Sequence, residues 1–213
     1  ALQLVDGNQT TTIGISEEQT YAEALKAAGI NKEETGKTFV GWSATQNGTA
    51  KDLSAGFSED CQTLYALWEK TQLQVSFADG EHTNADYGVL TLAYGDTYGT
   101  GTRLNAAQAG LPSVAEVTGK TFKGWAYADN MFVNNTTPAT FTTADHTLTA
   151  VWMANNYTIY LHDAQANKTS TIDVTYGADY TLATPAAVNG YTFDGWYEDN
   201  KSTAFAHNGT YTQ

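Results

Sequence analysis

The sequence predicts a strand-rich α+β protein assembled from tandem small modules, and three observations carry that expectation. A seven-residue run occurs three times, as GKTFVGW at 36–42, GKTFKGW at 119–125 and GYTFDGW at 190–196, at intervals of 83 and 71 residues. The first two runs are each followed by an alternating apolar segment, TLYALW at 63–68 and TLTAVW at 147–152. All three runs are preceded by stretches that read strand, turn, strand. A catalytic motif normally occurs once per active site, so triplication points to architecture first.

The repeated elements follow one order. QLVDGNQTTTIGIS, QVSFADGEHTNADYGVLTLAYG and IYLHDAQANKTSTIDVTYG are the opening hairpins, and Asp6, Asp79 and Asp163 occupy their turns. An Asx side chain there can bond its own backbone two residues on. A helix is expected next at 20–30 (TYAEALKAAGI), with Thr20 as N-cap, Glu23 completing a capping box and Gly29 as a stop. A second helix is expected at 101–112 (GTRLNAAQAGLP), capped by Thr102 and stopped by Gly110. In the third copy Pro185 interrupts DYTLATPAAVNG, so a turn or extended segment is expected there.

Strict alternation in GxTFxGW would place Phe39 and Gly41 on one side and Thr38, Val40 and Trp42 on the other. The Val40 slot holds Lys123 and Asp194 in the other copies, which makes that side wet. A β-bulge at Gly41, Gly124 and Gly195 would reset the parity and bury Phe and Trp together. In the closing strand Leu64, Ala66 and Trp68 share a face, as do Leu148, Ala150 and Trp152. The alanine between two large residues leaves room for an opposing ring. The structural signature is therefore Phe39, Gly41, Trp42, Leu64 and Trp68, then Phe122, Gly124, Trp125, Leu148 and Trp152, then Phe193, Gly195 and Trp196.

Trp42 and Trp68 are 26 residues apart, and Trp125 and Trp152 are 27 apart. The same spacing after Trp196 falls near position 222 or 223, so the third copy is expected to lack its final strand. The expected modules are 1–69, 70–154 (with insertions around HTNADYG and before GKTF) and 155–213. The links EKT at 69–71 and MANN at 153–156 are short and contain no Pro or Ser/Gly tract, which predicts closely coupled neighbours.

These residues in combination resemble the Listeria–Bacteroides repeat, also called the internalin B-type repeat: GxTFxGW, about 20 residues, then TLxAxW. The resemblance implies a small β-grasp-like module and tandem display on secreted or wall-attached bacterial proteins. By compact-domain scaling, three such modules would form a rod of roughly 75–100 Å. Core residues recur three times without reactive ones, and the links are short, so a stalk or adhesion segment is expected, with a host or cell-wall protein or glycan as the partner.

Composition narrows the alternatives. Net charge is −13, with nine lysines and the single Arg103, a surface that disfavours nucleic acid and anionic lipid. No run approaches the roughly 18 apolar residues of a membrane span. ALQLVDGNQT lacks the basic and apolar regions of a signal peptide, so a secreted chain would be a mature fragment. His82, His146, His162 and His207 sit in four unlike contexts without metal-ligand spacing, so neither metal nor cofactor is expected. No GxSxG, phosphate loop or dinucleotide fingerprint is present, and a non-enzymatic chain is expected.

Tyr94, Tyr98, Tyr127 and Tyr197 could supply ring platforms for a weakly bound carbohydrate or protein, with Glu198 beside Tyr197. Cys61, at the start of the first closing strand, is expected to be exposed and to form an intermolecular disulfide in air, the chain being otherwise monomeric.

Overall fold

The computed structural model describes residues 1–104, 109–128, 130–199 and 201–212. In chain order the first elements are β1 (Leu2–Asp6), β2 (Gln9–Ile13), α1 (Tyr21–Ala27), β3 (Lys37–Ser43), β4 (Thr63–Lys70), β5 (Gln72–Ala78), β6 (Val89–Ala93) and β7 (Thr102–Leu104). Then come β8 (Lys120–Tyr127), β9 (Met131–Val133), β10 (His146–Ala154), β11 (Asn156–Asp163), β12 (Lys168–Thr175), β13 (Asp179–Thr181) and β14 (Asn208–Thr210). Strand dominates, as the alternating patterns require. The chain divides into two compact units, one comprising Ala1–Ser76, Tyr87–Leu111 and Asn134–Thr147, the other Phe77–Asp86, Pro112–Val133 and Leu148–Gln213.

In the first unit a four-stranded sheet runs β2-β1-β4-β3. β1 pairs antiparallel with β2, and β4 lies between β1 (parallel) and β3 (antiparallel). Helix α1 carries the full capping box: Thr20 accepts from the Glu23 amide while the Glu23 carboxylate accepts from the Thr20 amide. Two otherwise orphaned donors are thereby satisfied. Tyr21, Ala24 and Leu25 bury the apolar stripe of this helix against Leu2, Leu4, Ile13, Trp42 and Leu64. Further along, Leu73 stands opposite Leu92 and Val75 opposite Leu90, and Leu90 stands opposite Arg103.

The second expected helix is not formed where it should begin. Thr102–Leu104 is the strand β7, paired with β6, and Thr102 bridges Ala109 instead of capping a helix. Residues 105–108 of that expectation lie outside the described residues, and 109–112 hold no helix. Pairing explains the outcome at Thr102: the β6 edge offers three residues of ladder, whereas a short Asn/Ala/Gln segment has little apolar face to hold a helix down.

In the second unit β8 pairs with β10 and β9, β11 with β12, and β13 with β14, all antiparallel. Residues 182–188 hold no helix, in keeping with Pro185.

The bulge forms in the first two copies. Phe39 is opposite Trp68 and Gly41 opposite Leu67, leaving Val40 without a partner. Likewise Phe122 is opposite Trp152 and Gly124 opposite Val151, leaving Lys123 over. Gly41 and Gly124 take φ of 151° and 139°, which side chains disfavour, and Gly195 takes 157°. In the third copy residues 192–196 belong to no strand, so that glycine has the bulge conformation without a ladder.

Successive copies are joined in the same way twice. A single residue, Thr71 or Asn155, separates the closing strand from the next opening strand. Thr71 N–H donates to the Gly36 carbonyl at 2.9 Å and Tyr94 N–H to the Thr71 carbonyl at 2.8 Å. Asn155 N–H donates to Gly119 at 2.8 Å and Tyr176 N–H to Asn155 at 2.9 Å. In each joint the tyrosine ring lies on the glycine so closely that a Cβ there would collide with it, and both glycines hold positive φ.

Candidate functional site

The repeated chemistry is a cluster of three rings. Phe39 lies 5.6 Å from Trp42 and 5.3 Å from Trp68, edge-on to both. Phe122 lies 5.8 Å from Trp125 and 5.3 Å from Trp152. The register makes this possible: the bulge turns Phe and the first Trp to one side, and the small Ala66 and Ala150 stand opposite Trp42 and Trp125. Trp42 and Trp125 are buried, 3% and 2% exposed, beside fully buried Leu64 and Leu148. Phe39, Trp68, Phe122 and Trp152 are half-buried.

A carboxylate latches each closing strand. Trp68 Nε1–H donates to Asp6 and Trp152 Nε1–H to Asp79, both at 2.9 Å. Asp6 also pairs with Lys32 at 2.8 Å, and Asp79 with His82 at 2.8 Å. Burial would push the Asp6 carboxyl up, but the hydrogen bonds from Lys32 and Trp68 outweigh it and hold the group below the ordinary carboxylate range. The sequence offered these aspartates only as turn formers. Asp79 does accept from the Glu81 amide and Asp163 from those of Gln165 and Ala166, but the bond to an indole 62 or 73 residues away is a tertiary fact. Recurrence of the same Asp with the same Trp was the signal that could have exposed it.

The third copy presents the same parts uncovered. Phe193 and Trp196 are 5.4 Å apart, and Trp196 Nε1–H donates to the carbonyl of Ala183, thirteen residues upstream. Trp125 donates across the same span to Pro112. Yet Phe193 is 39% exposed and Trp196 half-buried, so Phe193 does not serve as core here. Among the described residues no closing strand covers them. Instead a groove of about 1120 Å³ runs between β11 and residues 191–199, lined by Ile159, Leu161, Asp163, Phe193 and Trp196 among others.

Tyr197 and Glu198 also line this groove, and Tyr197 is 46% exposed. The Tyr197 hydroxyl donates to Asp194, and that bond, with lesser help from burial and the carboxylate charge, pushes the phenol pKa up. Tyr127 is not part of the lining: it sits at the end of β8, opposite Met131. Two further expected platforms are corrected. Tyr98 is fully buried with its hydroxyl 2.9 Å from His146 Nε2, and Tyr94 packs on Gly36. Cys61 is half-buried against the first core rather than exposed, its Sγ 3.7 Å from the Thr63 carbonyl. Among the described residues no group of three His, Cys, Asp or Glu side chains could hold a metal, and no helix is long and apolar enough to cross a membrane.

Comparison with known proteins agrees with this repeated architecture. The Listeria-Bacteroides repeat domain family matches residues 75–151 and 157–213. One protein of Evansella cellulosilytica, carrying the name of a Gly-rich membrane protein, is 29% identical over 169 residues, covering 77% of this chain and 18% of that protein. A second from the same organism, named as a membrane protein, is 31% identical over 145 residues, covering 66% of this chain and 19% of its own length. The chain therefore spans about a fifth of the curated relatives it matches. With the motif, the ring clusters and this match in agreement, the chain belongs to the Listeria-Bacteroides repeat family.

Proposed function

We propose that these 213 residues are a non-enzymatic spacer or adhesion segment of a bacterial cell-surface or secreted protein. The observation that carries the reading is the joint built twice alike, Gly36 with Thr71 and Tyr94, then Gly119 with Asn155 and Tyr176. A one-residue link whose backbone is bonded on both sides and whose glycine lies under a ring resists swivelling. Restricted swivelling is what a stalk needs and a tethered catalytic domain does not. Family membership and the relatives' names, both of which contain the words membrane protein, support placement at the cell surface. The parts that recur are rings, latches and joints, while the histidines do not recur in equivalent positions.

The test is surface display, with the chain placed between a wall anchor and a reporter domain. Reporter accessibility should fall when copies are deleted and should be indifferent to Tyr197→Ala and Tyr127→Ala. Accessibility independent of copy number would overturn the spacer reading.

A second reading, weak multivalent contact with a carbohydrate or protein, is favoured by the exposed Tyr197 beside Glu198 on the groove. Glycan-array binding that disappears in a folded Tyr197→Ala variant would promote it.

A further inference from the structure

The first and second copies surround the same tryptophan differently. Trp152 has two ring neighbours, Phe122 at 5.3 Å and His82 at 5.7 Å, and His82 Nδ1–H also donates to Asp79 at 2.8 Å. Among the described residues Trp68, in the matching position, has Phe39 at 5.3 Å as its ring neighbour. Turn length is the cause. Residues 79–88 join β5 to β6, and this connection supplies both His82 and Glu81, which pairs with Lys120 of β8 at 2.6 Å. Gly7 and Asn8 alone join β1 to β2, and Lys37, the match of Lys120, pairs with Glu34 at 2.6 Å instead.

The result in the first copy is a cleft of about 500 Å³ beside the Trp68 indole, lined by Asp6, Glu33, Glu34 and Lys37 among others. The Asp6 side chain is 22% exposed, whereas that of Asp79, under its histidine, is 0% exposed. Lys32 takes the Asp6 oxygen that His82 takes on Asp79, but its Nζ stands 5.7 Å over the Trp42 ring, leaving Trp68 to the cleft. The cleft lies at the turn end of the β1–β2 hairpin, where Asp6 is opposite Gln9, and residues between 6 and 68 supply all its walls. It is a property of a complete copy.

We infer that this cleft binds one arginine side chain of a basic protein segment, and that His82 fills the matching cleft of the second copy from within the chain. The guanidinium packs against the Trp68 indole, where the imidazole packs on Trp152, and donates to Asp6 and Glu33. Arginine suits these walls because its planar fork stacks on aromatic faces, grips carboxylates and keeps its charge. Three carboxylates and one ammonium group stand among the lining residues, and the chain carries a net charge of −13, so an approaching cation is favoured. A neutral sugar would gain the indole but nothing from the charge. The site does not rest on the spacer reading, because it is read on the cleft alone.

The experiment titrates the whole 213-residue chain, isotopically labelled, with Nα-acetyl-arginine amide and follows the indole and backbone N–H resonances. Saturable shifts are expected at the Trp68 indole and at the Gly7 and Glu33 amides, with the Trp152 indole unmoved. The citrulline analogue keeps the shape and loses the charge, and it should bind about tenfold more weakly. Glu33 is exposed, so Glu33→Gln should leave the fold intact and weaken the arginine probe by about threefold. His82→Ala uncovers the second cleft, so the Trp152 indole should join the response. No saturable shift at Trp68, or equal binding of the citrulline analogue, overturns the inference. So does a Trp152 indole that stays silent in a folded His82→Ala chain, because the two clefts would then not be one kind of site. Saturation of the Trp68 response by an N-acetylglucosamine oligomer but not by the arginine probe overturns it in favour of a glycan.

Discussion

Trp42 and Trp68 look equivalent in composition and are not equivalent in energy. Trp42 is 3% exposed and sits within the first core, whereas Trp68 is half-buried and held at its edge by Asp6. Removing a buried aromatic ring costs about 3–5 kcal/mol, comparable with the whole stability of a small module. Trp42→Ala should therefore unfold the first copy and Trp68→Ala should only weaken it, as urea midpoints will show. Asp6 adds a pH dependence. Its folded pKa is depressed, so its contribution is complete above the unfolded value of about 3.9 and is lost as pH falls through the lower folded value. The stability gap between the native chain and Asp6→Asn should be constant near neutrality and should close in acid. A gap unchanged down to pH 2 would remove the latch from the account.

Elements differ in how openly the sequence declared them. The capping box at Thr20 and Glu23 is local, and α1 forms where it predicts. The bulge was legible because three unlike residues, Val40, Lys123 and Asp194, occupy one slot beside an invariant Phe and Trp within this chain. The segment at Thr102 misled for the converse reason: capping signals were present, but a neighbouring strand edge outcompeted a weak local preference. The joint was invisible, since nothing near GKTF says that a tyrosine from the next hairpin will lie on its first glycine. That contact gives a paired prediction. Gly119 and Gly190 have φ of 71° and 84°, so alanine strains both, but only at Gly119 does a ring occupy the space. Gly119→Ala should lower the thermal midpoint clearly more than Gly190→Ala, and faster amide exchange at Asn155 and Tyr176 should accompany it. Equal midpoints would mean that the Tyr176 ring moves aside without cost.

Across the whole molecule, completeness of the ring cluster sets local stability. Among the described residues the first and second copies each pack the signature Phe between two indoles beside a carboxylate, whereas Phe193 of the third packs on Trp196 and is 39% exposed. Phe122→Ala should therefore cost more than Phe193→Ala in denaturant, by the difference between losing a ring packed between two indoles and losing one at a groove wall. Native-state exchange should rank residues 190–205 below β3 and β8 in protection. Equal protection would imply that the groove is already closed in solution.

The sequence by itself determined the repeat, its approximate spacing, the alternation of its strands, its helix and its bulge. All of these are written within a few neighbouring residues and then copied. Only the tertiary structure decided that Asp6 and Asp79 latch a distant tryptophan, that Tyr94 and Tyr176 lock the joints, and that Phe193 stands uncovered. The reason is physical. Periodicity fixes which face a side chain takes, but whether that face is covered depends on a strand arriving from tens of residues away.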